Sequence, residues 1–283
     1  MAGIPPSKSD RREQAREKAA ALRAEQLKRE ARGRRITLLS IIVGLVIVAG
    51  LIAFVVISGN KKVNVNPDAS APTTAVGING GISFGADGVA GTSNDGAIVV
   101  ETYLDFLCPW CAKFEAENTA NLDEFREAGE ITLVVHPISM LSGGDKTAYS
   151  SRAASAFAYV ADNAPDKALA FSTALYTNQP PETGDGLSDD EIVDLAKGAG
   201  VPEDVAKAAV GNQFADWAIL QYQEAAARTE LLDAQSRFTT PTIVIDGEKF
   251  TGNATSADEF RAALETAIAG GGSTPADDAN ADQ

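Results

Sequence analysis

Two cysteines three residues apart, Cys108-Pro109-Trp110-Cys111, stand where a continuous apolar run gives way to a helical pattern. That junction constrains the fold more than any other feature of the chain. Gly96 to Phe106 is nearly unbroken in apolar character, as a strand buried on both faces would be. A helix is predicted from about Pro109 to Ala128, stopping at Gly129. A thiol at its start meets unpaired backbone N–H groups and the positive end of the helix dipole, and both favour the thiolate. The spacing lets the second sulfur reach the first, so a mixed disulfide can resolve within one molecule. These are the only two cysteines, and the chain has one histidine, so the four ligands of a zinc site are not at hand. A purely structural bridge closing so short a loop would remove little unfolded-state entropy. Redox chemistry at Cys108 and Cys111, without metal or bound cofactor, is the expectation.

Residues 36–58 carry no charge and are almost wholly apolar. At about 1.5 Å per residue they reach about 34 Å, enough for one transmembrane helix. Residues 1–35 hold eleven Lys or Arg against five Asp or Glu, which places the N-terminus in the cytoplasm and all that follows the span outside. The only cleavage-like triplet, Ala69-Ser70-Ala71, lies well past the apolar run and precedes Pro72, so an uncleaved anchor is expected. Glu interrupts the basic segment and no aromatic residue accompanies it, which argues against nucleic-acid binding.

The outer part has the opposite charge. The chain totals −15 and its first 62 residues carry +8, which leaves −23 on residues 63–283. Such a surface is soluble and repels nucleic acid. Its length is enough for a core without disulfide staples, and disulfides persist outside the membrane, so its cysteines are free to be functional.

Five segments follow: a cytoplasmic basic segment (1–35), the span (36–58), a Gly/Pro/Ser/Asn-rich spacer (59–94), a folded domain (95–270) and a disordered polar tail (271–283). Ile78 to Phe84 is read as a short lead-in strand, and Ile131 to His136 as a second central strand ended by Pro137. About 145–235 is helical throughout, with Phe157, Tyr159, Phe171 and Tyr176 at core spacing. Ser188 with Glu191, and Ser256 with Glu259, read as capping boxes. Thr242 to Ile245 reads as a strand, Asp246-Gly247 as a hairpin turn and Lys249 to Thr251 as the partner strand. The fold class is α/β with an all-helical insertion.

Thr240-Pro241 precedes that hairpin. A proline entering a central strand cannot complete a ladder, and either a cis bond or an edge position would accommodate it. The runs 104–111 (LDFLCPWC) and 240–247 (TPTIVIDG) resemble the DsbA-like branch of the thioredoxin superfamily. The likeness covers about residues 95–270 and is greatest to the membrane-anchored, single-domain proteins of high-GC Gram-positive bacteria. It implies a thioredoxin fold, with Cys108 as the exposed nucleophile, Cys111 as the resolving thiol, and a cis Thr240–Pro241 bond against the sulfur pair. Pro109 and Trp110 complete the site.

The resemblance further implies a dithiol oxidase for reduced or unfolded secreted proteins. Its reoxidant would be a membrane partner of the DsbB or vitamin K epoxide reductase type. An envelope reductase or isomerase, and a chaperone-like binding module, are the alternatives. The family's buried acid, six residues before the first cysteine, is replaced by Thr102, with Glu101 adjacent; Glu101 could act only if its side of the strand faces the cysteines. Trp110 is read either as a docking surface for clients or as packed against the next loop, and His136 as structural.

Overall fold

The computed structural model describes residues 65–271. The predicted span, the basic segment before it and nearly all of the tail lie outside the described residues. Among the described residues, no helix is long and apolar enough to cross a membrane.

The centre is a five-stranded sheet: β1 (Ile82–Phe84), β2 (Ile98–Leu104), β3 (Ile131–Pro137), β4 (Thr242–Ile245) and β5 (Glu248–Lys249), in the order β1-β3-β2-β4-β5. β2 and β3 run parallel, from Ile98 opposite Ile131 to Leu104 opposite Pro137. The 19-residue helix α1 (Pro109–Glu127) makes the crossover between them. β1, β4 and β5 add antiparallel strands on the two sides. Asp246 and Gly247 both have positive φ (51° and 82°), which a tight two-residue hairpin turn between right-twisted strands requires. This is the expected thioredoxin arrangement. The partner strand is Glu248–Lys249 rather than Lys249–Thr251, because the two-residue turn fixes the register immediately after Gly247.

Between β3 and β4 lies the helical block: α2 (Tyr149–Asn163), α3 (Ala168–Thr177), α4 (Asp189–Gly198), α5 (Glu203–Ala209) and α6 (Ala215–Ala227). α2 packs against α3, α5 and α6. Its fully buried alanines, Ala153, Ala154, Ala156, Ala158 and Ala161, let those helices approach closely. Buried hydroxyls there are partnered, as when Ser155 Oγ accepts the Phe214 N–H at 2.9 Å. The Ser188–Glu191 capping box forms as expected. The second is only half made: Ser256 caps α7 (Ala257–Ala269), while the Glu259 carboxylate accepts the N–H of Asn253 instead.

The described part of the expected spacer, residues 65–94, is folded onto the domain. Ile82, Phe84 and Ala90 are buried. Asp162 on α2 accepts the backbone N–H groups of Thr73 and Thr74, each at 2.9 Å. Arg126, buried at the end of α1, donates to the carbonyls of Gly85 and Ala86. A Cβ on Gly81 would meet the His136 ring at 2.7 Å, so only glycine lets the chain pass over β3 there.

The faces of β2 differ. Ile98, Val100 and Leu104 join a large core with α1 and the helical block. Tyr103 joins a smaller cluster with Ile138, Ala225, Leu231 and Val244 on the other side.

Candidate active site

Cys108 is the N-cap of α1 and Pro109 its first helical residue, where a missing N–H costs nothing. Both cysteines are free thiols. Cys108 Sγ lies 3.5 Å from the carbonyl oxygen of Thr240, and the Thr240–Pro241 bond is cis, as the resemblance implied. The loop before the pair is pinned twice. The Cys108 N–H donates to the Asp105 carbonyl at 3.0 Å, and the Gln179 side-chain amide donates to the carbonyls of Phe106 (2.9 Å) and Cys108 (3.0 Å).

The two thiols differ sharply. Cys108 is held down to about 6, first by the Cys111 thiol beside it, then by Thr240 and the backbone N–H groups of Cys111 and Trp110, against partial burial. The buried Thr240 hydroxyl has no other partner among the described residues and is available to donate to a thiolate. Cys111 is wholly buried and pushed well above the ordinary thiol range, first by burial and then by Cys108, with the Asp105 charge adding to it. The arrangement supplies one stabilised thiolate and one thiol that stays protonated beside it. Cys108 is only 5% exposed, so it is a nearly buried nucleophile rather than the exposed one the resemblance implied, because the Thr240 carbonyl and the loop before α1 cover its sulfur.

Trp110 is 59% exposed, with the Lys113 ammonium 5.7 Å from the centre of its ring. It therefore presents a surface rather than packing against the following loop. The sequence did not single out Asp105, which is fully buried. Its carboxylate accepts the N–H groups of Leu107 and Leu141 and the hydroxyl of Ser150, tying the cysteine loop to the start of the helical block. A buried polar residue closing an apolar strand was the available signal.

Glu101 does not face the cysteines. It lies on the Tyr103 side of β2, where its carboxylate accepts from Asn79 (2.8 Å) and Tyr103 Oη (2.8 Å) and sits 3.1 Å from His136 Nε2. His136 Nδ1 meets Gln221 at 3.0 Å and its ring stacks on Tyr103 at 4.0 Å, the structural role expected of it. Thr102, at the place of the family's acid, bonds only the Val134 carbonyl at 3.4 Å. Among the described residues no group of three or more His, Cys, Asp and Glu is placed to hold a metal ion.

Three solved structures share the fold. They are the MdbA protein, a thiol-disulfide oxidoreductase from Corynebacterium matruchotii, reduced DsbA from Mycobacterium tuberculosis and oxidised BdbD from Bacillus subtilis. Sequence identities are 21%, 21% and 20%, with TM-scores of 0.52, 0.52 and 0.54. The alignments cover 63%, 68% and 71% of this chain and 90%, 98% and 97% of those chains. No curated protein matches the sequence. The thioredoxin family profile matches residues 87–266, from before β2 into α7. That match takes in the sheet's central strands, the helical block and both halves of the sulfur site, and on it the chain belongs to the thioredoxin family.

Proposed function

We propose that the protein is a membrane-anchored thiol–disulfide oxidoreductase of the cell envelope that works as a dithiol oxidase on secreted proteins, through Cys108 and Cys111. The contrast between the two thiols supports this reading best. A client thiolate attacks Cys108 Sγ of the oxidised pair, forming a client–Cys108 disulfide and breaking the Cys108–Cys111 bond. Cys111 leaves as a thiolate and takes up a proton. A second client thiolate then attacks the client sulfur of the mixed disulfide, and Cys108 departs as a thiolate. A leaving thiol held at about 6 departs readily, and its stabilised anion favours the dithiol form of the enzyme, which is what makes a disulfide a good oxidant.

The exposed Trp110 indole offers apolar area for an unfolded client beside the sulfur. The apolar run at 36–58 holds the domain at the outer membrane surface, within reach of a quinone-linked reoxidant of the DsbB or vitamin K epoxide reductase type. Thr240, Pro241 and Pro109 shape the site around Cys108.

The test is the reduction potential of the pair, equilibrated against glutathione. A value near about −120 mV supports net oxidation of clients, whereas one near about −270 mV overturns that direction in favour of an envelope reductase.

A further inference from the structure

Cys108 carries its sulfur on the residue that caps α1, so whatever holds its backbone also sets what the sulfur meets. Pro109, the first helical residue, has no N–H. The first donors of the helix are therefore the N–H groups of Trp110 and Cys111, its second and third residues, which are those that an N-cap side chain accepts. The Cys108 carbonyl competes for one of them. Its oxygen lies 3.0 Å from the Cys111 nitrogen and 3.2 Å from that of Ala112, and both N–H groups donate to it. A carbonyl oxygen has two lone pairs. A third donor nevertheless reaches it, the side-chain amide of Gln179 at 3.0 Å.

Gln179 comes from outside both the sheet and α1. It follows Asn178, the C-cap of α3, and its own N–H donates to the Tyr176 carbonyl at 3.2 Å. Pro180 and Pro181 come next and fix the backbone φ there. Tyr176 lays its ring against Phe106, 4.8 Å between centroids, and Gln179 donates to the Phe106 carbonyl at 2.9 Å. The end of α3 thus grips Phe106 by ring and by carbonyl, and Cys108 by carbonyl, while α3 itself packs on α1. Both neighbours of the Gln179 amide are carbonyl oxygens, so its nitrogen faces them.

We infer that Gln179 is a positioning residue for Cys108: by occupying the Cys108 carbonyl it leaves the Cys111 N–H to the sulfur, and so makes the pair a stronger oxidant. The inference rests on the proposed thiol–disulfide chemistry and gives the helical block a part in it. The Cys111 N–H is among the groups that favour the Cys108 thiolate. Without Gln179, the carbonyl would keep two donors and draw that N–H back into the helix. The oxidised pair carries no anion, so the lost hydrogen bond weakens only the dithiol form, and the disulfide is passed on less readily. The titratable and charged groups around the site are Cys111, Asp105, Tyr176 and Lys113. A neutral substitution at 179 changes the charge of none of them.

The experiment uses the reduced full chain in detergent and follows alkylation of Cys108 by mass spectrometry from pH 4.5 to 9. Gln179→Met keeps the length of the side chain and loses its donor. The half-point should rise by about one pH unit, the scale of one hydrogen bond to a charged sulfur. Starting from about 6, that rise should cut the equilibrium constant for converting two glutathione thiols into glutathione disulfide about fivefold at pH 7. A merely structural role would lower the melting temperature and leave both readouts in place. A Gln179→Met half-point within about 0.3 unit of wild type, a twofold change, therefore overturns the inference. The wild type supplies a second measurement. Its Gln179 side-chain amide resonances should titrate with Cys108 and stay fixed in Cys108→Ser. Amide signals that ignore the Cys108 titration overturn the inference even where Gln179→Met does not fold. A wild-type Cys108 with the ordinary thiol half-point of about 8.5 sinks the oxidase reading itself, whatever residue 179 does.

Discussion

The two sides of β2 hold polar groups under opposite terms. On the Tyr103 side, Glu101, His136, Tyr103, Gln221, Asn79 and Arg228 satisfy one another, and Arg228 donates to Tyr103 Oη at 2.7 Å. On the cysteine side, the hydroxyls of Thr240 and Tyr176 lack hydrogen-bond partners among the described residues, one thiol is held low, another is held high, and Glu115 is raised. Buried polar groups normally find hydrogen bonds, so a satisfied cluster reads as architecture and an unsatisfied one as chemistry. The comparison also explains why Glu101, adjacent in sequence to the family's acid position at Thr102, is not near the sulfurs: adjacent strand residues point to opposite faces.

Glu101→Gln tests the architectural side most severely. Removing one partner of a buried charged cluster should cost about 3–5 kcal/mol in denaturant unfolding. The pH dependence of Cys108 alkylation should stay where it is; a shift would mean that the two sides are coupled and that the contrast is false.

The cysteine side has its own signature in the reduced protein. The thiol of Cys108 is depressed in the fold, from 9.0 to about 6. Its contribution is therefore fully present above about pH 9 and is lost as pH falls through about 6. Within that window the reduced protein should gain about 1.4 kcal/mol per pH unit, or about 4 kcal/mol across it, relative to Cys108→Ser. Urea unfolding of both at pH 6, 7 and 8 under reductant measures this, and parallel curves would show that the thiolate is not stabilised. Cys108→Ser should also lose all client oxidation, whereas a chaperone-like module would keep its binding activity.

The smallest effect concerns Trp110. Its replacement by Ala should slow oxidation of an unfolded client about tenfold, equivalent to about 1.4 kcal/mol, and affect glutathione less. Equal losses for both would make the indole part of the sulfur chemistry rather than a docking surface.

Much of this was legible in the sequence because local rules decided it. The strand-to-helix junction at Cys108, the caps at Ser188 and Ser256, the Asp246-Gly247 turn and the helical block follow from periodicity and turn chemistry. What escaped depends on distant partners. Residues 65–94 have the composition of a spacer, yet Thr73 and Thr74 are bound by an aspartate 89 and 88 positions away. The lead-in strand expected over Ile78 to Phe84 is present, but its start was not legible: Ile78–Gly80 form a 3-10 turn and only Ile82–Phe84 pair with β3. Tyr176 was correctly read as core, but periodicity gives a residue's face and not whether its hydroxyl has a partner. Glu115 resembles any other helix acid until α3 is laid against it.

The side chain of Gln179 holds two carbonyls of the cysteine loop from just beyond the end of α3. For anyone wishing to trim or transplant this domain, the helical block is therefore not a detachable ornament. A minimal version cut down to sheet, α1 and α7 would keep both sulfurs and the proline yet leave the loop hanging from one end, so the smallest transferable unit of this redox site is the whole domain.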